Sequence, residues 1–411
     1  MDRFYIDLAD TILLSCQWPC FALENVGFCR NALSDRVEMS RVKIEQSNIM
    51  QSNTSERVAR SGKPGHLAFC FLPLLLFVLL GAGVLGGGYW FLLPSVFLLV
   101  VLPLLDLLTG WQDNVHFEKN DFSPAQISLL QWNPRLYSLF YMGFVIYVVR
   151  FIDGFNAIET AFLVSAASLV GGIGFAAAHE LLHGKERIDQ ILQRIMTSFL
   201  FYPHYKLIHV RSHHVHAGTD HDENTAWLNE SIYSYIFRTI PGSMIRCWQI
   251  EAGPVVNGER SGRTHFQNKM LVYAAGQLGL LAALYWLGGL RGLLFYLAQI
   301  IGAHIVLESV NYIQHYGLLR QQHDGEYEKT AAEHSWDTYH FFSSYVTFRV
   351  GHHSYHHIAV KPYYLLAAEP QAPKLPVGYF WAIPMVFLPP WWRRIINPKL
   401  TEAHIPQHVR G

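Results

Sequence analysis

Long apolar segments dominate the hydrophobic pattern of this chain, and they recur in pairs separated by short connections. A segment of about 20 mostly uncharged residues has the length of a helix that crosses a bilayer core about 30 Å thick. The pattern therefore predicts an all-α integral membrane protein with six transmembrane helices arranged as three hairpins. The six predicted spans are residues 67–88, 91–110, 136–152, 159–178, 270–287 and 292–312.

A soluble protein with buried core helices would keep polar helix faces, and these six segments have almost none.

The distribution of basic residues predicts an orientation for these spans. The short connections leave nearly all Lys and Arg side chains on the other side of the membrane, with Arg291 as the one clear exception. Because basic residues favour the cytoplasmic side, we expect both termini and the longer loops in the cytoplasm. In a bacterium the membrane would be the inner, or plasma, membrane.

Polar residues divide the chain into three predicted regions. Residues 1–63 include the polar stretch SNIMQSNTSERVARSGK and are predicted to be a weakly ordered N-terminal leader. Residues 64–400 contain all six predicted spans and are expected to form the main domain. Residues 401–411 are expected to form a short C-terminal tail.

Composition narrows the class of function. The 31 basic and 31 acidic side chains cancel, and 51% of the 411 residues are hydrophobic, so the chain lacks the basic surface that nucleic-acid binding requires. The five cysteines include no C-x-x-C pair, which argues against a disulfide framework and against an iron–sulfur or rubredoxin-type site. Any redox reaction would therefore draw its electrons from a separate protein.

Histidine is the unusual polar residue, with 22 copies, and several of them are clustered. HELLH ends the fourth predicted span with two imidazoles one helical turn apart, and HVRSHH repeats this spacing further along. NYIQH ends the sixth span at the same membrane boundary, and HSYHH adds another turn of histidines. Nine candidate ligands are too many for one ion but suit two. They are His179, His183, His209, His213, His214, His315, His353, His356 and His357.

Other polar residues are candidates to support these ligands. Glu180, Asp222, Asn311 and Asp337 lie close enough in sequence to accept a hydrogen bond from the second ring nitrogen of a ligand histidine. Charged residues within apolar spans often have a function, and Glu308 is expected to face the metal cavity. Asp106 is either a helix-end residue or close to the metals, and His352 is the main alternative ligand.

The metal and its chemistry stay open at this point. Imidazole suits iron, copper, zinc and nickel. HELLH also matches the zinc-peptidase pattern, but a peptidase site needs three protein ligands and leaves the remaining histidines unexplained. A histidine-rich metal carrier or sensor would place its ligands along the spans, whereas these gather at one end. An all-nitrogen pair of sites with open positions suits redox chemistry on oxygen.

Segments around and beyond the histidine clusters carry a resemblance to a known family. NYIQHYGLLR, DGEYEK, EHSW and LPVGYFWAIPMVFLPPWWRRIINPKL follow one another along the chain. With them, residues 67–400 resemble the integral-membrane non-haem di-iron alkane 1-monooxygenases, a branch of the membrane fatty-acid desaturase and hydroxylase superfamily. The resemblance implies that the nine histidines hold two iron ions in a cytoplasmic cap. It also implies hydroxylation of an alkane's terminal methyl group with O₂ and electrons from NAD(P)H, passed through a reductase and a rubredoxin or ferredoxin.

Several departures from the family pattern leave alternative substrates open. Gln314 stands where the family usually has glutamate, Asp337 stands where it has asparagine, and VGHHSYHH and TDHDENTA also differ from the usual segments. The glutamine also occurs in xylene side-chain monooxygenases, so an alkyl-aromatic methyl group is an alternative substrate. A fatty-acyl desaturase would use a similar metal site, but its third histidine cluster would be spaced differently and it would lack the NYxxHYG segment.

Overall fold

Helices form nearly all of the regular secondary structure in the computed structural model of this protein. The leader predicted over 1–63 and the end of the predicted tail lie outside the described residues. All described residues belong to one unit, Arg60–Gly411. The described residues are 65–112, 117–253, 255–256, 259–260 and 267–402.

The helices vary from single turns to long segments, and the strands form two small antiparallel hairpins. A π-helical turn, His209–His213, joins the seventh helix to the eighth. The strands are β1 (Val255–Val256) with β2 (Glu259–Arg260), and β3 (Gln322–His323) with β4 (Glu326–Tyr327). The helices are α1 (Gly65–Phe69), α2 (Leu72–Gly86), α3 (Gly88–Thr109), α4 (Pro124–Arg150), α5 (Ala157–His183), α6 (Arg187–Phe199), α7 (Tyr205–Ile208), α8 (His214–His216), α9 (Ile232–Ala252), α10 (Lys269–His315), α11 (Phe341–Val346), α12 (His353–Ile358), α13 (Tyr379–Val386) and α14 (Pro389–Glu402).

Three of the described helices, α3, α5 and α10, are long and apolar enough to cross a bilayer. The first predicted span, 67–88, forms α1 and the shorter apolar helix α2, which has 15 residues. The third predicted span, 136–152, forms the C-terminal part of the 27-residue helix α4. The structure therefore agrees with the prediction of a helical protein with apolar spans. Length and composition identify α3, α5 and α10 as helices that could cross a membrane.

The 47-residue helix α10 consists of two helices that meet at Gly289, whose φ of 61° is a left-handed conformation suited to glycine. Gln277 in the first half bonds the carbonyl of Ser198 (3.1 Å), and His304 in the second half bonds the carbonyl of Leu200 (2.9 Å). A straight helix would separate Gln277 from His304 by about 40 Å, so the two halves must lie side by side. The sequence predicts GGLRG as the connection between two spans, and in the structure the chain reverses its direction there at Gly289.

Helix α5 packs against α10 in parallel, and sixteen of the 27 residues of α5 are buried. A Cβ atom at Gly172 would lie 2.4 Å from Cγ1 of Val306, so this approach of the two helices requires glycine. A Cβ atom at Gly302 would likewise meet Ser168, four residues earlier on each helix. The close parallel packing brings the C-terminal ends of α5 and α10 side by side.

The buried carboxylate of Asp106, near the end of α3, holds the N-terminus of α11. Its Oδ1 accepts hydrogen bonds from the backbone N–H groups of Phe342 (2.8 Å) and Ser343 (3.1 Å), and its Oδ2 accepts one from the Ser343 hydroxyl. A negative charge at this position satisfies the free N–H groups of the first helical turn. Asp106 is therefore a helix cap that ties α3 to α11.

We expect the substitution Asp106→Ala to lower the free energy of unfolding by about 3 kcal/mol, because it leaves several buried donors without an acceptor. Thermal unfolding of the purified protein in detergent, followed by circular dichroism, would measure the loss. Asp153→Ala is the matched control, because the Asp153 side chain is 89% exposed. Equal stability of Asp106→Ala and Asp153→Ala would contradict the role of the cap.

Candidate metal centre

Nine histidines from four segments meet where the C-terminal ends of α5 and α10 lie side by side. These are the nine that the sequence singles out. They come from α5 (His179, His183), the π-helical turn and the start of α8 (His209, His213, His214), α10 (His315) and α12 (His353, His356, His357).

Five of these imidazoles form a first group in which the Nε2 atoms point toward one another. The Nε2 atoms of His179 and His356 are 3.0 Å apart, and those of His183 and His209 are 3.2 Å apart. His214 Nε2 lies 2.9 Å from that of His209 and 3.1 Å from that of His356. The first group therefore combines α5, the π-helical turn, α8 and α12.

A second group consists of His213, His315, His353 and His357. His353 Nε2 lies 2.9 Å from that of His315 and 3.0 Å from that of His357. The ring centroid of His213 is 4.8 Å from that of His315 and 4.8 Å from that of His357. The two groups adjoin, because the rings of His214 and His357 are only 4.9 Å apart.

The π-helical turn decides which histidines share a group. The spacing in the sequence pairs His209 with His213, as an α-helix would. In the structure the backbone N–H of His214 donates to the carbonyl of His209, a bond between residues five apart. This places His209 and His214 on one face and turns His213 toward the second group.

The spacing of the nitrogens fits metal coordination better than hydrogen bonding. A neutral imidazole Nε2 carries either one proton or one lone pair, so several such atoms cannot all bond to one another. Two nitrogens bound to one ion at about 2.1 Å and at a right angle are about 3.0 Å apart. The observed separations of 2.9–3.2 Å agree with that value. Each group could hold a metal ion, and within the described residues its donors are nitrogen alone.

Burial keeps the imidazoles outside the spans neutral. Burial, together with His213 and other nearby imidazoles, lowers the pKa of His214 to about 3. The pKa values of His209, His353, His356 and His357 also lie well below the ordinary value, chiefly because of burial. Neutral imidazole is the form that binds metals, so these side chains are ready to coordinate at physiological pH.

Two of the predicted supporting residues act on the histidines in different ways. Asp222 is buried, and its Oδ2 lies 3.1 Å from Nδ1 of His213, which leaves Nε2 of that ring for the second group. Asp337 contacts the N-terminus of α12 instead of a ring. It accepts hydrogen bonds from the backbone N–H (2.8 Å) and hydroxyl (2.6 Å) of Ser354 and from the hydroxyl of Tyr339 (2.7 Å). Asp337 thus fixes the helix that carries three of the histidines.

The other polar candidates have different partners. Both carboxylate oxygens of Glu180 lie 3.2 Å from the backbone nitrogen of Tyr363. Asn311 donates to Glu308 at 3.4 Å. His352 belongs to neither group. Its Nε2 lies 2.9 Å from Nη2 of Arg349, and its Nδ1 lies 3.4 Å from the hydroxyl of Ser344.

A narrow cavity of about 50 Å³ adjoins both groups. His179 and His209 of the first group and His213 and His353 of the second line part of it, and the remaining wall is mostly apolar. The sequence singles out the segment that contains α13 only as part of the family resemblance, and it does not predict that α13 lines a cavity, because that contact depends on tertiary packing. The bond of 2.8 Å from Gln314 Nε2 to the Tyr379 hydroxyl links α13 to α10 at this wall. The apolar lining includes Gly172, Ile173, Val306, Leu307, Phe380 and Ile383.

Comparison with known proteins identifies the family. The model of the fatty acid desaturase family matches residues 157–368, more than half of the chain. The chain belongs to the fatty acid desaturase family. The matched region of this desaturase-family protein includes all nine histidines and the segments that carry them.

Similarity to individual proteins places this desaturase-family chain in the branch of the alkane and xylene monooxygenases. Alkane 1-monooxygenase 1 of Pseudomonas aeruginosa is 33% identical over 242 residues, which cover 58% of this chain and 63% of that protein, less than two thirds of its length. Alkane 1-monooxygenase 1 of Alcanivorax borkumensis is 30% identical over 335 residues, covering 78% of this chain and 80% of the relative. The xylene/toluene monooxygenase hydroxylase component of Pseudomonas putida is 27% identical over 338 residues, which cover 80% of this chain and 88% of that protein.

We expect Asp222→Ala to weaken metal binding by about 10- to 100-fold, because His213 loses the acceptor that orients its ring. Metal retained by the purified protein at increasing chelator concentration, read by elemental mass spectrometry, would measure the change. Asp220→Ala is the control, since its side chain lies near the surface, 41% exposed. Metal retention by Asp222→Ala equal to that of the control would contradict the role given to this carboxylate.

Proposed function

We propose that this protein is a membrane monooxygenase that hydroxylates the terminal methyl group of an alkane. The observation that carries this proposal is the pair of all-nitrogen histidine groups, members of which line a narrow, mostly apolar cavity. Membership of the desaturase family and similarity to alkane 1-monooxygenases support the same reaction class.

The nine histidines are proposed as the ligands of two non-haem iron ions. His179, His183, His209, His214 and His356 would hold one ion, and His213, His315, His353 and His357 would hold the other. Two such ions supply reductive activation of O₂ when they are bound. Burial in the protein keeps the imidazoles neutral. Asp222 orients the ring of His213, and Asp337 fixes helix α12.

The cavity is proposed to receive and orient the reacting end of the substrate, because its volume of about 50 Å³ is too small for a whole alkane chain. Its wall from α5, α10 and α13 is apolar, so it favours a hydrocarbon chain over water. His179, His209, His213 and His353 form part of the same lining, so a chain end in the cavity would lie beside the histidine groups. An alkane dissolved in the bilayer could then present a methyl group at the boundary of the membrane.

We propose the topology that the sequence predicts. Residues 64–400 form the membrane domain with six spans, and both termini and the metal centre face the cytoplasm. The parallel ends of α5 and α10 at the histidine groups and the reversal of α10 at Gly289 support this arrangement.

Electrons are proposed to come from a separate rubredoxin or ferredoxin and its NAD(P)H reductase. The five cysteines of the chain include no C-x-x-C pair that could hold an iron–sulfur or rubredoxin-type site. The described cysteines Cys70 and Cys247 are both buried, and burial raises the pKa of the Cys247 thiol to about 12. A soluble donor protein would reach the metal centre from the cytoplasmic side.

A xylene-type side-chain monooxygenase is the second candidate. Gln314 lines the cavity and bonds the Tyr379 hydroxyl and the carbonyl of Val350 (3.2 Å), so its amide shapes the wall beside the substrate. The similarity to the xylene/toluene monooxygenase component is consistent with an alkyl-aromatic substrate. A fatty-acyl desaturase is less well supported, because the relatives above are named as monooxygenases.

We expect labelled 1-octanol when iron-loaded membranes, a reductase and a rubredoxin or ferredoxin are supplied with octane, p-xylene and ¹⁸O₂. Mass spectrometry of the products would measure the label. Labelled 4-methylbenzyl alcohol as the main product would favour the xylene-type reaction instead. Absence of both alcohols, from a preparation that contains iron and accepts electrons, would overturn both candidates.

We expect His315→Ala to lose iron from the second group and to lower product formation by at least about 100-fold, because a ligand nitrogen is removed. His323→Ala is the matched control, since His323 is an exposed histidine in β3. Iron content, helical circular dichroism and product yield would be measured for both variants. A folded His315→Ala variant with full iron content and activity would remove His315 from the proposed ligand set.

A further inference from the structure

Four basic side chains line one groove at the surface, where α6, α7, the π-helical turn and the start of α10 meet. The groove has a volume of about 530 Å³. One carboxylate, that of Glu251, is among its described lining residues, and it lies 3.6 Å from Nζ of Lys269. We call this site the basic groove, and its cations are Arg194, Lys206, Arg211 and Lys269.

Most of the positive charge in the basic groove has no matching anion in the part of the chain that the structure describes. Arg194 and Arg211 are exposed and form no ion pair with a described residue. Lys206 donates a hydrogen bond to the neutral side-chain amide of Gln190. Partial burial and the nearby charge of Arg194 lower the pKa of Lys206. Cations held together in this way favour an anionic ligand.

Two apolar clefts begin at the basic groove, and both share Pro203 and Tyr273 with its lining. One cleft, of about 380 Å³, lies between α6 and the first half of α10, and the other, of about 660 Å³, lies between α9 and both halves of α10. Val272 lines the first cleft and Leu278 the second, and each side chain is 69% exposed. Because α10 is long and apolar enough to cross a bilayer, these exposed apolar walls suit contact with acyl chains.

Helix α6, which forms one side of the basic groove, has the pattern of a helix that lies at a membrane surface. Leu192 and Met196 are buried against the rest of the protein. Ile188, Ile191 and Ile195 form an apolar stripe and are 37%, 45% and 49% exposed. An exposed apolar stripe beside basic residues suits the head-group region of a bilayer. A soluble acidic protein could meet the cations but would leave the stripe and the two clefts uncovered.

We propose that the basic groove binds the head group of an anionic phospholipid, whose two acyl chains lie in the two apolar clefts. The proposal rests on the topology proposed above, which puts α6 and the start of α10 at the cytoplasmic face. A zwitterionic lipid would bring its own ammonium group toward four cations, so the groove prefers a lipid with net negative charge. Inorganic phosphate would match the cations but leave both clefts empty of acyl chains.

Photocrosslinking in lipid nanodiscs would test the basic groove on the full-length protein. The nanodiscs contain phosphatidylcholine and a trace of phosphatidylglycerol whose acyl chains carry a diazirine, and crosslinked peptides are mapped by mass spectrometry. We expect the crosslinks to concentrate in α6 and in the first half of α10. The same label on phosphatidylcholine should give at least about tenfold fewer crosslinks at these sites, because each basic residue favours the anionic lipid.

Three variants make the test specific to the groove. Arg194→Glu replaces one of its cations by a carboxylate and should lower the phosphatidylglycerol crosslinks at least about tenfold. Arg187→Glu is the matched control on the same helix, because Arg187 is exposed and does not line the groove, and it should leave the yield unchanged. Lys269→Gln changes the opposite side of the groove and should lower the yield about fivefold, so it serves if Arg194→Glu does not fold.

Three results would overturn the proposal. They are equal yields from the two labelled lipids, equal losses in Arg194→Glu and Arg187→Glu, and displacement of the probe by inorganic phosphate or a soluble polyglutamate peptide as readily as by unlabelled phosphatidylglycerol. The crosslinking needs neither O₂ nor electrons. Hydroxylation without a lipid preference would therefore contradict only the basic groove, whereas a lipid preference without hydroxylation would contradict only the proposed function.

Discussion

The structure depends on the placement of buried imidazole nitrogens about 3 Å from one another. Without an ion, neutral rings at this distance face one another with lone pairs and N–H groups that cannot all be paired, and the surrounding protein has removed the water that would solvate them. Coordination of an ion would convert this cost into attraction, because each nitrogen would then donate a lone pair to a cation. Metal binding and the stability of this end of the bundle should therefore be linked.

Buried carboxylates show how the protein holds the imidazoles in position. Asp106 ties α3 to α11, Asp337 holds the first turn of α12, and Asp222 orients one ring. Backbone N–H groups at the start of a helix stabilise a buried negative charge, so the first two carboxylates stabilise short helices that could not persist alone. The long spans supply the rigid frame, and these acidic residues connect the short helices to it.

The sequence predicted which histidines lie together, but not how they divide into two groups. The nine residues could be named because i, i+4 spacing and helix ends constrain where imidazoles point, and the structure brings all nine together. The pairing of His209 with His214 could not be predicted, because a π-helical turn depends on tertiary contacts instead of local propensity. The partner of Glu180, the backbone N–H of Tyr363, likewise depends on packing between distant segments. The contribution of α13 to the cavity wall is a tertiary contact with no local signal.

Two pairs of consecutive residues divide between the histidine groups: His213 with His214, and His356 with His357. Consecutive Cα atoms are about 3.8 Å apart along a rigid peptide unit, so the backbone keeps the two groups next to each other. Neither group contains a carboxylate that could bridge them within the described residues. A rotation of α12 would move nitrogen donors of both groups together, so an ion bound in one group would also restrict the side chains of the other.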